Sequence, residues 1–414
     1  MMALIARLLW LVRSLWLDLL SRLQAAWDGW RWFWFTPADP LMLGVLRIGT
    51  GFVLLWVLSA TGPLLPVLYG PDAWVDQKTA NLIRHESPLL PPLPSWDPIG
   101  PDERQGIVYQ PHLNQGPEVL PYAARWGMWP GYAYSRGLAQ FSPFFHTESI
   151  LEMGIVHGLS MIAVFLFAIG LWTRLTSVLA WVVALSYIHR VSSALFGMDT
   201  MMALLLLYLS ISPSGTALSL DNWLLNRRRR LLGLEPLGVQ SSVLAGLGLR
   251  LIQVHFAFIY LASGLSKLQG PSWWNGTALW QTLSNYEFTP ERFPGYTAFL
   301  RLLTESRPVW EIFHSGGALF TLLLESSFLF LVWYRGWRVI LILGAYLLHT
   351  GISLSMGLHS FSFLMILMAS SFVNPAWLRS CLAWWLRRRE PRAEPLPAPS
   401  LPTRASPEVA VRPS

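Results

Sequence analysis

Eight stretches of the chain are apolar almost without interruption, at approximately 41–60, 147–170, 172–189, 200–212, 243–266, 314–334, 336–355 and 358–374. Most have the roughly 17–25 residues that carry an α-helix across the hydrocarbon of a bilayer. The stretch at 200–212 is the shortest, and without it the sidedness of everything that follows would invert. Ahead of the spans, residues 1–34 place Arg7, Ser14, Asp18, Ser21 and Arg22 on one helical face and fill the rest with Leu and Trp. Such a helix is predicted to lie in the plane of the interface. A cleaved signal would instead put its charges before an unbroken apolar core and end at a small-residue cleavage site. The breaker Pro37-Ala38-Asp39-Pro40 separates this helix from the first span.

Between the first two spans, residues 64–146 lose the apolar continuity and turn to Pro, Trp, Tyr and mixed charges. They predict a loop-rich insert too long to be a mere connection. A second outer loop is expected at 267–313 and a basic segment at 376–390, before a Pro-Ala-Ser-rich tail, 391–414, that has no means of burying a core. The pattern therefore predicts an all-α polytopic transmembrane helix bundle, with its membrane domain over 35–375 and no internal repeat.

Composition agrees with this reading. Hydrophobic residues make up 53% and charged residues 13%, with a mean hydropathy of +0.42, where soluble domains carry about 25% charged residues. The 23 tryptophans cluster beside the spans, as rings that settle at the headgroup level do. The net charge of +7 comes largely from clusters such as Arg227–Arg230 and Arg387–Arg389 that follow apolar spans. With both termini cytoplasmic, every strongly basic short segment falls on one side, and the mixed-charge segments fall on the other. The expected partner is therefore the lipid bilayer and not nucleic acid. The single cysteine, Cys381, excludes an intramolecular disulfide and a cysteine-rich metal site. No metal is predicted, because the histidines lie scattered without ligand spacing.

In this topology the ionisable residues gather toward the outer ends of the spans: Glu148 and Glu152, His189 and Arg190, Asp199, Lys267, and His349 and His359. His157, His255 and Glu325 sit deeper. Charged or titratable groups in a membrane are costly and are read first as functional, so the set predicts a pocket opening outward between helices. Each residue also has a plain structural reading. His189-Arg190 suits an interfacial anchor, His349 and His359 suit helix packing, and Glu325 suits a partner for Arg250 or His255. Arg47 suits a side chain snorkelling to the headgroups. Glu152 and His157 are five apart and do not share a helical face.

Lys267 stands out. The chain has two lysines against 28 arginines, and the other, Lys78, lies in the polar insert. Arg in practice cannot give up its proton, whereas Lys can, so a Lys kept at a membrane boundary is a candidate base. A snorkelling Lys at a helix end is the alternative.

The run Tyr260-x-x-x-Gly264-x-x-Lys267-Leu268, followed by Trp273-Trp274-Asn275-Gly276, resembles the matching stretch of the vitamin K-dependent gamma-carboxylases. Phe35-Thr36-Pro37-Ala38-Asp39-Pro40 with Arg47, and Ser219-Leu220-Asp221, fit the same superfamily, the horizontally transferred transmembrane (HTTM) family. The resemblance covers residues 35–375 and implies a bacterial inner-membrane protein. It gives Lys267 the role of the base that deprotonates a quinol resembling vitamin K hydroquinone. A lysine desolvated in an apolar pocket loses its proton more readily, which agrees with that role.

Ser266 replaces a lysine that the carboxylases carry before the base, and no histidine stands at Met198-Asp199. The resemblance leaves that function to Asp199 or His189. The candidate catalytic set is thus Lys267 with His189, Asp199, His349 and His359 to position groups or relay protons. Tyr260, Trp274, Asn275 and Glu152 are the candidate substrate-binding residues. Quinol or lipid-like chemistry is expected rather than peptide carboxylation. The rival readings are a non-enzymatic lipid- or solute-binding or transport protein, and a membrane assembly partner.

Overall fold

A computed structural model describes residues 2–77, 80, 140–191, 194–285 and 294–389. Most of the expected 64–146 insert, and the 391–414 tail, lie outside the described residues.

The described chain is helical. α1 (Met2–Phe35), α2 (Leu41–Thr61) and α3 (Leu65–Tyr69) precede the insert, and α4 (Ile150–Ile169), α5 (Thr173–Arg190), α6 (Gly197–Ile211) and α7 (Leu220–Leu231) follow it. Next come α8 (Val243–Leu268), the short α9 (Pro271–Trp274) and α10 (Ala278–Leu283), then α11 (Pro294–Glu305) and α12 (Arg307–Trp310). A π-helical turn, Glu311–Ser315, leads into α13 (Gly316–Leu331), and α14 (Arg335–Met356) and α15 (His359–Ala369) complete the bundle. α16 (Pro375–Arg389) belongs to a separate unit that begins at Val373.

Among the described residues five helices are long and apolar enough to cross a membrane: Leu41–Tyr69, Ile150–Ile169, Val243–Leu268, Arg307–Leu331 and Arg335–Met356. Their exposed faces are apolar too. On α4, Ile155, Leu159, Ile162 and Phe165 are more than half exposed and repeat at helical spacing along one side. A helix that is apolar on the side away from its neighbours is solvated by lipid.

α5 and α6 fall short of those five in length or apolarity and pack against them, α5 on α4 and α6 on α2. At one end of the bundle Asp221 accepts hydrogen bonds from Trp172 N (2.8 Å), Thr173 N (2.8 Å) and Thr173 Oγ1 (2.7 Å), capping the start of α5. Arg47, near the start of α2, is fully buried there and donates to the carbonyls of Ser214 (2.6 Å) and Leu218, in the turn that follows α6. This corrects the snorkelling expectation for Arg47: carbonyls freed at a helix end supply partners that the headgroups were expected to supply. Gly170 ends α4 at the same place with φ of 72°, and a Cβ on it would lie 2.7 Å from the Arg47 guanidinium carbon. Left-handed backbone and close approach both call for glycine.

At the other end Arg190, the last residue of α5, donates to Gly70 O and Val75 O, each at 3.0 Å, just past α3. α5 thus covers the same thickness as α2 and α3 together. α6 carries Asp199 in its first turn, beside Tyr69 and Tyr187 around a shared cavity, and finishes at the Arg47 end. Its 15 residues reach about 22 Å at 1.5 Å per residue, and the flanking turns make up the rest. The short span at 200–212 is thus an apolar helix of 15 residues packed within the bundle. The Arg227–Arg230 cluster lies on α7, at the Arg47 end. The positive-inside expectation assigns that end to the cytoplasm; α8 starts there, with Gly248 against Ser212, and runs away from it to Lys267.

Candidate functional site

The site is built on the contact between α8 and α13. Gly264 permits that contact: a Cβ there would lie 2.8 Å from Ser326 Oγ and 2.9 Å from Ser326 N. With the backbones this close, Lys267, nearly one turn further along α8, meets Glu325 of α13. Lys267 Nζ lies 2.7 Å and 3.0 Å from the two carboxylate oxygens and 2.5 Å from Ser263 Oγ, one turn back on its own helix. The Lys267 side chain is 24% exposed and that of Glu325 9%. Trp273, at the start of the outer loop, places its ring 5.4 Å from the ammonium, within cation–π range.

Lys267 ends its own helix, but Glu325 is nine residues into α13 and six before its end. The carboxylate therefore sits within an apolar run, and the lysine reaches it from a helix end. Glu325 pairs with neither Arg250 nor His255, the partners expected from sequence. Arg250 donates to Phe33 O (3.2 Å) and Gln253 Oε1 (2.9 Å), and His255 Nδ1 meets Tyr208 OH at 3.0 Å. Glu325 is the one acid in Gly316–Leu331. That signal alone shows that it needs a cation but not which one.

Two turns below Lys267 on the same face of α8, the Tyr260 hydroxyl meets His349 Nε2 of α14 at 2.8 Å. Both side chains are buried, and His349 Nδ1 has no partner. The Tyr260 ring packs on Phe328 with centroids 4.6 Å apart, and Phe328 is three residues from Glu325 on α13. Glu325 lies within electrostatic range of Tyr260, and Lys267 within that of His349. Of the residues singled out in the sequence, Lys267, Tyr260 and His349 are thus brought together.

Others hold backbone. Trp274 Nε1 donates to Leu268 O (2.7 Å), and Asn275 Oδ1 accepts from Thr277 N (3.0 Å) and Oγ1 (2.6 Å), folding the outer loop back on the end of α8. Trp273, not Trp274, is the ring that faces Lys267. Glu152 accepts from Glu148 N (2.7 Å) at the start of α4, and Asp199 accepts from Phe196 N (3.0 Å) at the start of α6. His189 Nδ1 lies 3.1 Å from Phe141 N, and His359 Nδ1 lies 2.8 Å from Ser353 Oγ across the turn between α14 and α15. The polar partners of Lys267 are Ser263 and Glu325, so Glu152, His189, Asp199 and His359 act elsewhere.

Asp199 instead lines a cavity of about 190 Å³ where the ends of α2 and α5 meet the start of α6, with Tyr69, Tyr187, Met198 and Met202. A second cavity, of about 430 Å³, opens at the Arg47 end beside Arg174, Ser210 and Asp221. The sequence reading also passed over His314. It is fully buried in the π-helical turn, neither ring nitrogen has a partner, and its ring packs 4.2 Å from that of Trp310. Among the described residues no group of three or more His, Cys, Asp or Glu is placed to hold a metal. No known protein family, curated protein or solved structure matches the chain.

Proposed function

We propose that this multi-pass membrane protein is a member of the HTTM family that takes a proton from a hydroxyl of a quinol-like or lipid-like molecule at the Lys267 centre, on the outer side of a bacterial inner membrane. The observation that carries the reading is the Lys267–Glu325 pair, bidentate at 2.7 and 3.0 Å inside the apolar run of α13. Taking two charges out of water costs several kcal/mol per ion, and apolar side chains of similar volume often serve stability as well or better. Charges kept at this depth are therefore read as chemistry before packing. Supporting it are the use of Lys in a chain that otherwise relies on Arg, and the Trp273 ring beside the ammonium, an aromatic neighbour that suits a flat ring carrying a hydroxyl.

The test uses purified protein in lipid nanodiscs with a reduced naphthoquinol bearing a short isoprenoid tail. Wild type is expected to bind the naphthoquinol and accelerate its oxidation by oxygen, and Lys267→Met to lose that acceleration. Full quinol-dependent turnover in Lys267→Met would reject the Lys267 centre as the place of proton transfer.

A second reading is favoured by one observation: Lys267 is already neutralised by Glu325, which suits a site that binds without reacting. A lipid-binding protein with no chemistry would bind the naphthoquinol in wild type and leave its oxidation rate unchanged. A transport or assembly role would leave both binding and oxidation unaffected by Lys267→Met.

A further inference from the structure

We propose that Glu325 is the group that receives the proton and that Lys267 holds the anion left behind, an assignment that rests on the proton-abstraction reading above. Lys267 makes three short polar contacts, two to Glu325 and one to Ser263. An ammonium has three N–H donors and no acceptor, so the geometry satisfies a fully protonated lysine and leaves it no lone pair with which to take a proton. A carboxylate offers about four acceptor positions, of which Lys267 occupies two.

Charge conservation points the same way. In the transfer, the ligand O–H bond breaks, an O–H bond forms on a Glu325 oxygen, and the electron pair stays on the ligand oxygen. The site begins as ammonium and carboxylate and ends as ammonium and ligand anion beside a neutral carboxylic acid. Its net charge is zero before and after. If neutral Lys267 were the base, with Glu325 ionised beside it, the site would carry one uncompensated negative charge throughout. A low-dielectric interior strongly disfavours that state. The structure supplies the positioning as well: Gly264 sets the helix separation, Ser263 accepts from Lys267, and the Trp273 ring lies beside the ammonium.

The two groups make opposite predictions when the carboxylate is removed. The experiment follows oxidation of the same short-tailed naphthoquinol in nanodiscs across pH, with Glu325→Gln, Glu325→Asp, Lys267→Met and wild type. If Glu325 takes the proton, Glu325→Gln loses about a hundredfold or more, the range of a general base, and Glu325→Asp retains partial turnover. If Lys267 takes it, Glu325→Gln frees the amine, and turnover stays at or above wild type while Lys267→Met is inactive. That result would overturn the assignment and keep the functional reading.

A readout independent of turnover is the infrared difference spectrum on adding 1-naphthol, which has the hydroxyl but is not a quinol. Wild type is expected to gain a protonated-carboxyl band that Glu325→Gln lacks. Binding without that band would overturn the proposal even where Glu325→Gln fails to fold. A wild type that neither binds nor oxidises the naphthoquinol would reject the functional reading itself.

Discussion

Lys267 and Glu325 are worth more as a pair than either is alone. Removing one partner of a buried ion pair costs about 3–5 kcal/mol, because the survivor is left charged and unpaired. Lys267 is a quarter exposed, so the lower end of that range applies. Lys267→Met and Glu325→Gln are each expected to lower the melting temperature in detergent, and the double variant to recover much of the loss. Strict additivity of the two losses would show that the pair is not coupled. Gly264 is the second residue to test. Gly264→Val forces a side chain to within 3 Å of Ser326, an overpacking expected to cost about 1–3 kcal/mol. It should also push Glu325 away from Lys267, so its effect on turnover should exceed that of a stability-matched change elsewhere on α8.

Among the elements, α13 has an irregular start. It is preceded by the π-helical turn Glu311–Ser315, which aims His314 into a box made by Trp280, Trp310 and Phe313. π-Turns inside helices often accompany functional sites. Both His314 nitrogens are buried without partners, and an unsatisfied buried polar group costs about 1–3 kcal/mol. His314→Phe, which keeps the ring and removes the nitrogens, is therefore expected to raise stability by about 1 kcal/mol, as read by thermal melting with turnover recorded alongside. A stability gain with lost turnover would show that His314 has a function that its packing does not explain.

At the scale of the whole molecule, the sidedness of the site depends on α5 and α6 crossing together. With Cys381 replaced by Ser, single cysteines at Leu195 and at Asn222 can be labelled with a membrane-impermeant maleimide. Leu195→Cys, in the turn between α5 and α6, is expected to react in intact cells, and Asn222→Cys, on α7, only after the membrane is opened. The reverse pattern would turn the bundle over and put the Lys267 centre on the cytoplasmic side. Reaction of both cysteines in intact cells would remove α6 as a crossing helix.

The apolar runs, their lengths and the arginine bias were enough to establish the all-α membrane class and to locate the helices within a few residues, because each depends on local composition and on the hydrophobic thickness that every span must match. Composition also singled out Lys267, since one lysine among so many arginines is visible without a fold. Partners across helices were beyond its reach. That Glu325 meets Lys267 and not Arg250, that Arg47 is buried against carbonyls, and that Asp199 and His189 secure chain ends away from Lys267 all depend on which helix faces lie against each other. Helix contacts are made between residues far apart in the chain, and several cations at similar depth satisfy the same pattern for one carboxylate. Only the close approach that Gly264 allows between α8 and α13 selects one of them.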